Sequence, residues 1–240
     1  MLAADISSSA KAVGWSGGCG QSFQGIQFAN SFQNCFIRRF IIVLQSKGAL
    51  IQTRTQTRIP ILPASEGILT SRTKWQYTGA QRPEYAEAPK ANEESVWDYP
   101  RPPLVRPVDK VCRVFNGKTL IAESQACVRV CETAGAPTYY FPPTDVESTL
   151  IEPADMASIC EWKGVSQHLT VDGVPEAGWR YIRMFEEFAD LFEWPSFHPK
   201  QLLCFIDTER VSHQDGGFYG GWVSESLTGP IKGRAGSEDW

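Results

Sequence analysis

Three stretches of the chain combine residue types that could do chemistry. The first is Cys160-Glu-Trp-Lys-Gly164. On a strand, side chains alternate, so Glu161 and Lys163 would share one face and Trp162 would take the other. A carboxylate beside an ammonium could hold a zwitterionic or anionic ligand. Glu161 could also serve as a general base if burial raised its pKa. These two are the candidate catalytic residues. The same spacing suits a satisfied ion pair on a solvated face, with Trp162 in the core. The second stretch is Gly216-Gly-Phe-Tyr-Gly-Gly-Trp222, where glycines permit close backbone approach around aromatic residues. Tyr219 and Trp222 would either stack on a planar ligand or fill the core of a tight hairpin. The third is the Tyr139-Tyr140 pair, of which one should be buried while the other could reach a cleft. Upstream, Trp97, Tyr99 and Arg101 lie in a Pro-rich segment that could form a lid over a sheet or pack onto it as an arm.

Other chemistries find little support. The three His residues, His168, His198 and His213, have no second metal ligand at usable spacing. Cys127 and Cys131 would share a strand face but lie roughly 13 Å apart, too far for one zinc. No metal site or cofactor is therefore expected. No Gly-x-Ser-x-Gly elbow supports a serine triad, and no Gly-Lys-Ser/Thr makes the glycines a phosphate loop. Asp207 and Glu209 are the nearest approach to a Mg²⁺-binding pair, and they read better as a hairpin turn.

Charge is divided unevenly along the chain. Residues 1–83 hold nine Lys/Arg against two acidic residues, net +7, whereas residues 84–240 hold 14 against 25, net −11. The acidic part is a poor match for nucleic acid. The apolar run at residues 40–44 is far too short to span a membrane. Seven Cys, an odd number without a CxxC, read as reduced and mostly buried thiols.

The positioning elements are short. Residues 1–90 show no sustained period and are expected to be a disordered extension and linker. Their basic, Ser-rich composition is that of a transit peptide to a plastid or mitochondrion, the alternative being a cytoplasmic protein. Residues 91–240 form the folded domain. Asn116-Gly117 between β-prone runs predicts a hairpin over residues 111–122. Further strands are expected at residues 126–131, 138–141, 165–171, 181–185 and 202–206, with a helical turn at 143–146 and a short helix at 185–192. The fold class is mainly β: short antiparallel strands in one compact domain, with one or two short helices.

Four segments together resemble the family known as domain of unknown function 427 (DUF427). They are Glu94-Ser-Val-Trp-Asp-Tyr-Pro-Arg-Pro-Pro103, Glu132-Thr-Ala-Gly-Ala-Pro-Thr-Tyr-Tyr-Phe-Pro142, Cys160-Glu-Trp-Lys-Gly164 and Gly216-Gly-Phe-Tyr-Gly-Gly-Trp222. Gly229-Pro-Ile-Lys-Gly233 extends the likeness. The resemblance implies a tent-like fold, two sheets leaning together over a cleft. It also brings a nucleotidyltransferase-like label. Where relatives carry an aromatic residue after the Glu-Trp-Lys-Gly segment, this chain has His168.

The leading expectation is a domain that binds an unknown small molecule in an aromatic-lined cleft, with or without a reaction of minor metabolism. Its ligand-binding candidates are Trp97, Tyr99, Tyr139, Trp162, His168, Tyr219 and Trp222, beside Glu161 and Lys163. A non-enzymatic module that binds a peptide is the alternative, and nucleotidyl transfer a weaker one.

Overall fold

Frequent Gly, Pro and Asn residues cut the β-prone runs into pieces of two to eleven residues, and hairpins join most of them. The protein is described here by a computed structural model covering residues 59–240. The transit-peptide reading of residues 1–58 lies outside the described residues. In chain order the strands are β1 (Glu94–Ser95), β2 (Leu104–Pro107), β3 (Cys112–Asn116), β4 (Thr119–Ser124) and β5 (Val128–Cys131). They continue with β6 (Thr138–Tyr140), β7 (Ile151–Cys160), β8 (Gly164–Val171), β9 (Val174–Met184) and β10 (Ser196–Phe197). The last are β11 (Leu203–Ile206), β12 (Glu209–Arg210), β13 (Ser212–His213), β14 (Trp222–Val223) and β15 (Leu227–Thr228).

Seven strands form one antiparallel sheet in the order β2-β5-β6-β10-β9-β8-β7, and β12-β11-β3-β4 form a second. The expected β3–β4 hairpin forms, with Asn116 paired to Thr119 and Gly117-Lys118 as the two turn residues; Gly117, at φ +56°, takes the first turn position, where only glycine is readily accommodated. Expected strands at 165–171 and 202–206 correspond to β8 and β11. The helical expectations become 3-10 segments at Pro143–Asp145 and Glu186–Leu191. β7 was not expected. It is an edge strand whose outer residues Glu152, Pro153 and Asp155 face solvent or lie near it, so it lacks the apolar alternation of a buried strand.

The two sheets close on a core of Cys112, Val114, Ile121, Phe141, Leu169, Val171, Phe197, Cys204, Ile206 and Trp222. The opposite face of the seven-stranded sheet carries a second cluster, with Tyr140, Trp179, Tyr181, Met184, Phe188 and Leu191. Consecutive residues on β6 obey the strand period: Tyr139 enters the inter-sheet core and Tyr140 the outer cluster. The five Cys among the described residues are buried free thiols. No helix among the described residues is long and apolar enough to cross a membrane.

The expected domain start at residue 91 needs correction, because residues 59–90 lie against the sheets as a strap. Met184 on β9 donates its N–H to Pro60 O at 3.0 Å and accepts one from Leu62 at 2.7 Å. Helix α1 (Glu66–Arg72) follows, capped by the Ser65 hydroxyl. Arg72 then donates from Nε to Glu161 O at 2.7 Å, with its guanidinium over the Trp162 and Phe185 rings. Glu87 N donates to Gly229 O at 2.9 Å. The strap has little apolar periodicity because it covers a surface already formed, anchored by isolated hydrogen bonds and a few aromatic rings.

Candidate functional site

The outer face of the seven-stranded sheet floors a cavity of about 130 Å³. Strand alternation supplies the floor: Thr138 and Tyr140 from β6, Ser158 and Cys160 from β7, Ser166 and His168 from β8, and Trp179 and Tyr181 from β9. Segments that are not part of the sheet build the walls and roof. Arg101 comes from the segment before β2, Glu132 to Ala136 from the loop after β5, and His198 from just beyond β10. Gln214, Phe218, Tyr219, Gly220, Gly221 and Lys232 complete it. No lining residue comes from the four-stranded sheet, so the cleft lies on the far side of the main sheet. This corrects the implied picture of a cleft between two leaning sheets: the space between them is filled by the core.

The glycine-rich loop sits close to this floor. A Cβ on Gly220 would lie 2.2 Å from the Trp179 ring, and one on Gly221 would lie 2.2 Å from Gln214 Oε1. Only glycine lets the backbone come so near. Gln214 fixes the loop base, accepting from Ala136 N at 3.0 Å and donating to Lys232 O at 2.8 Å.

Charge in the cleft is mostly positive. Arg101 is the hub of one wall: its Nε pairs with Glu132 Oε1 at 3.0 Å, and its Nη atoms donate to the main-chain oxygens of Tyr77, Thr133 and Trp240. Its guanidinium lies 3.9 Å from the centre of the Trp75 ring, and Lys232 Nζ lies 4.2 Å from it. Lys232 Nζ donates to Trp240 O at 2.9 Å. Lys163 is 6 % exposed, with its ammonium 5.9 Å from the Tyr181 ring centre.

Neutral groups share the floor. Tyr140 Oη accepts the indole N–H of Trp179 at 3.3 Å. Burial pushes the Tyr140 phenol up, against the opposing pull of the Lys163 ammonium and the Thr138 and Trp179 donors. His198 stacks on Trp179 at 4.6 Å, and burial, with smaller contributions from His168 and Lys200, pushes it down to about 4. Burial also lowers His168, with Glu176 opposing, and His168 Nδ1 is buried without a hydrogen-bond partner in the protein.

Of the candidates named from sequence, Lys163, His168 and Tyr219 line the cleft. Residues 161–163 form the β7–β8 turn, so strand alternation does not govern where Glu161 and Lys163 point. Glu161 is buried toward the strap and accepts from Trp75 Nε1 at 3.0 Å. Trp162 is buried beneath Arg72. Tyr139 stacks on Trp222 at 4.7 Å in the inter-sheet core, where Trp222 Nε1 donates to Phe197 O. Trp97 and Tyr99 belong to a third cluster. There Trp97 meets Tyr77, Tyr85 and Trp240 edge-on or tilted, and donates to Pro230 O. Asp207 and Glu209 spend their carboxylates on the main-chain N–H groups of Val111 and Glu225, outside the cleft. Among the described residues no three His, Cys, Asp or Glu side chains are placed to share a metal ion.

The sequence reading did not single out Tyr140, Trp179, Tyr181, His198 or Gln214 as site residues. The Tyr139-Tyr140 alternation held the signal for the first. The others come together only through strand pairing, since Trp179 sits opposite both His168 on β8 and Ser196 on β10.

A family model described as Domain of unknown function (DUF427) matches residues 104–211. That span holds the whole floor, whereas Arg101, Gln214, the glycine-rich loop and Lys232 lie outside it. No curated protein matches the chain.

Proposed function

The chain belongs, through residues 104–211, to the family described as Domain of unknown function (DUF427), and we propose that its cleft binds a small molecule. One observation carries this reading. Buried cations and aromatic rings from both ends of the domain converge on one cavity of about 130 Å³, a size that suits a small organic molecule. Tyr181, Trp179, Phe218 and Tyr219 supply apolar contact, while Arg101, Lys163 and Lys232 supply polar anchors. Tyr140 and His168 place a phenol and a neutral imidazole beside whatever is bound, which are groups able to donate or accept a proton.

The peptide-binding alternative requires an exposed aromatic patch. Large exposed apolar residues among those described are Leu69, Tyr85, Leu104 and Leu120, single side chains from four separate segments.

Native mass spectrometry of the full chain, purified without denaturation, tests the reading. A co-purifying small molecule that is lost on Phe218→Ala or Lys163→Met substitution supports it. A clean apo mass, with no thermal stabilisation across a broad metabolite panel, rejects it. The basic first segment supports import into a plastid or mitochondrion. Fusing residues 1–90 to a fluorescent protein checks this, and a diffuse cytoplasmic signal would reject it.

A further inference from the structure

Resting on the reading of the cleft as a small-molecule site, we infer that its ligand is an uncharged flat ring bearing a carbonyl or ring-nitrogen acceptor, which takes the hydrogen offered by the Thr138–Tyr140 hydroxyl pair. Three observations lead there. First, that pair has one hydrogen more than the protein uses. Thr138 and Tyr140 stand two apart on β6, and both side chains line the cleft. Tyr140 Oη accepts the Trp179 indole N–H at 3.3 Å and is hydrogen-bonded with the Thr138 hydroxyl. Whichever of the two hydroxyls donates in that bond, the other keeps its hydrogen. No acceptor for it is found among the described residues. Burial keeps the phenol protonated, so the pair stays a donor at neutral pH. A donor left unmatched in a site withdrawn from water is costly, and a neutral acceptor on a ligand removes that cost.

Second, the lining leaves no charge for a ligand to answer. Arg101 is engaged by Glu132 and by three main-chain oxygens, and Lys232 Nζ by Trp240 O. The Lys163 ammonium lies 5.9 Å from the Tyr181 ring centre, and that side chain too is partnered inside the protein. His168 and His198, both lowered by burial, are neutral at neutral pH. With its cations already held, the cleft would strip an anion of its water without repaying the cost. A cationic ligand would meet like charge, because the lining side chains set Arg101, Lys163 and Lys232 against Glu132.

Third, the remaining surfaces are rings, and the space between them is on the scale of one. Trp179 is held by its bond to Tyr140 and by the His198 stack, and Gly220 lets the loop carrying Phe218 and Tyr219 lie against it. Such faces and edges favour a flat, apolar partner. An apolar cavity of roughly 150 Å³ holds benzene. The cleft measures about 130 Å³, which sets a single ring with a small substituent as its occupant. The acceptor must then belong to the ring or sit directly on it to reach the hydroxyl pair.

The test uses the full chain and isothermal titration with acetophenone, α-methylstyrene, benzoate and benzylammonium. The styrene keeps the shape of acetophenone but puts a methylene group where the ketone has its oxygen. A cleft with apolar walls alone would favour the alkene, which gives up no hydrogen bond to water on entry. Acetophenone should instead bind at least about fivefold more tightly than the alkene and than either charged probe. The infrared carbonyl stretch of bound acetophenone gives a second readout. It should stay at or below its frequency in water, as for a hydrogen-bonded oxygen, and should move on Tyr140→Phe and on Thr138→Val substitution. The ketone-to-alkene ratio is read on the unaltered protein, so a variant that fails to fold leaves the test intact. An alkene that binds as tightly as the ketone would overturn the acceptor inference, and a preference for benzoate or benzylammonium would overturn the uncharged one. Each of these leaves a small-molecule cleft standing. A carbonyl frequency that rises to its value in a hydrocarbon solvent, or that neither variant moves, would overturn the assignment to the hydroxyl pair. Binding of none of the probes would also overturn the inference. An apo mass from native mass spectrometry would then reject the binding reading as well.

Discussion

Replacing Arg101 should loosen both the strap and the cleft wall. Its side chain is 3 % exposed and its Glu132 partner 16 %, so the pair is largely withdrawn from water. Arg101→Met would leave the Glu132 carboxylate without its guanidinium, remove the Arg101 donor from Tyr77 O and Thr133 O, and leave Trp240 O to Lys232 alone. It would also uncover the Trp75 ring face. Removing one partner of a buried pair costs about 3–5 kcal/mol. For a folded unit of this size each kcal/mol moves Tm by about 2–4 °C, so the fall should be roughly 6–20 °C. Arg101→Lys keeps a charge for Glu132 but cannot reach three main-chain oxygens at once, and should lose about half as much. Scanning calorimetry of unliganded protein gives the first readout. Trypsin gives the second, because Arg72 and Lys74 lie on the strap just before Trp75 and Tyr77, which Arg101 contacts, and cleavage there should accelerate in the Met variant. A Met variant that melts within about 2 °C of the parent, less than 1 kcal/mol, would refute the assignment of Arg101 as the hub. So would a Lys variant no better than Met.

Other residues make separate predictions. Trp222→Phe should lower unfolding free energy in urea by about 2–4 kcal/mol, because it removes packing against Tyr139 and leaves Phe197 O unpaired in the core; an unchanged midpoint would place Trp222 outside the core. Gly221→Ala should cost about 2–4 kcal/mol by pushing Gln214 off its bonds to Ala136 and Lys232. Gly217→Ala, with open space around it, should stay within about 0.5 kcal/mol of the parent, and equal effects of the two would contradict the close approach. His198 is lowered to about 4 in the fold, so the unfolded chain binds the extra proton between pH 4 and its ordinary value near 6.5. Its contribution is complete above pH 6.5 and is lost as pH falls toward 4, amounting to about 3 kcal/mol. The stability difference between the parent and His198→Gln should therefore shrink across that window, and a pH-independent difference would count against a buried neutral imidazole.

Local signals carried the fold class well. Asn116-Gly117 marked the β3–β4 hairpin, though Asn116 itself pairs and Gly117-Lys118 turn, and the apolar run at β11 read as a strand, of which Cys204 and Ile206 are buried. Side-chain alternation told that Tyr139 and Tyr140 face opposite ways. Which face holds the core depends on where the four-stranded sheet docks, and that docking is a long-range event. The alternation argument for Glu161 and Lys163 lost its premise for a different reason: a period of two has meaning on a strand and none in a hairpin turn. Trp97 and Tyr99 are the right residue types for a ligand, yet rings from the strap and from Trp240 already cover them. The strap itself was illegible because its anchors, such as Arg72 to Glu161 O and Trp75 to Glu161 Oε1, are single contacts across nearly ninety residues.

The parallel pairing of β1 with β15 has a kinetic consequence. Glu94 and Ser95 meet Leu227 and Thr228, while Trp97 reaches Pro230 across 133 residues and Arg101 reaches Trp240 across 139. Closing such long loops is entropically expensive, and contacts of this separation slow folding. The β7–β8–β9 hairpins of the floor need only neighbours in sequence, as does the β3–β4 hairpin of the other sheet. On a ribosome the floor can therefore assemble while the roof residues are still being made, and the cleft comes into being only when the last strand arrives. The same order in reverse makes the roof the first part to open under stress, so amide exchange should begin at β1 and β15 long before it reaches β8.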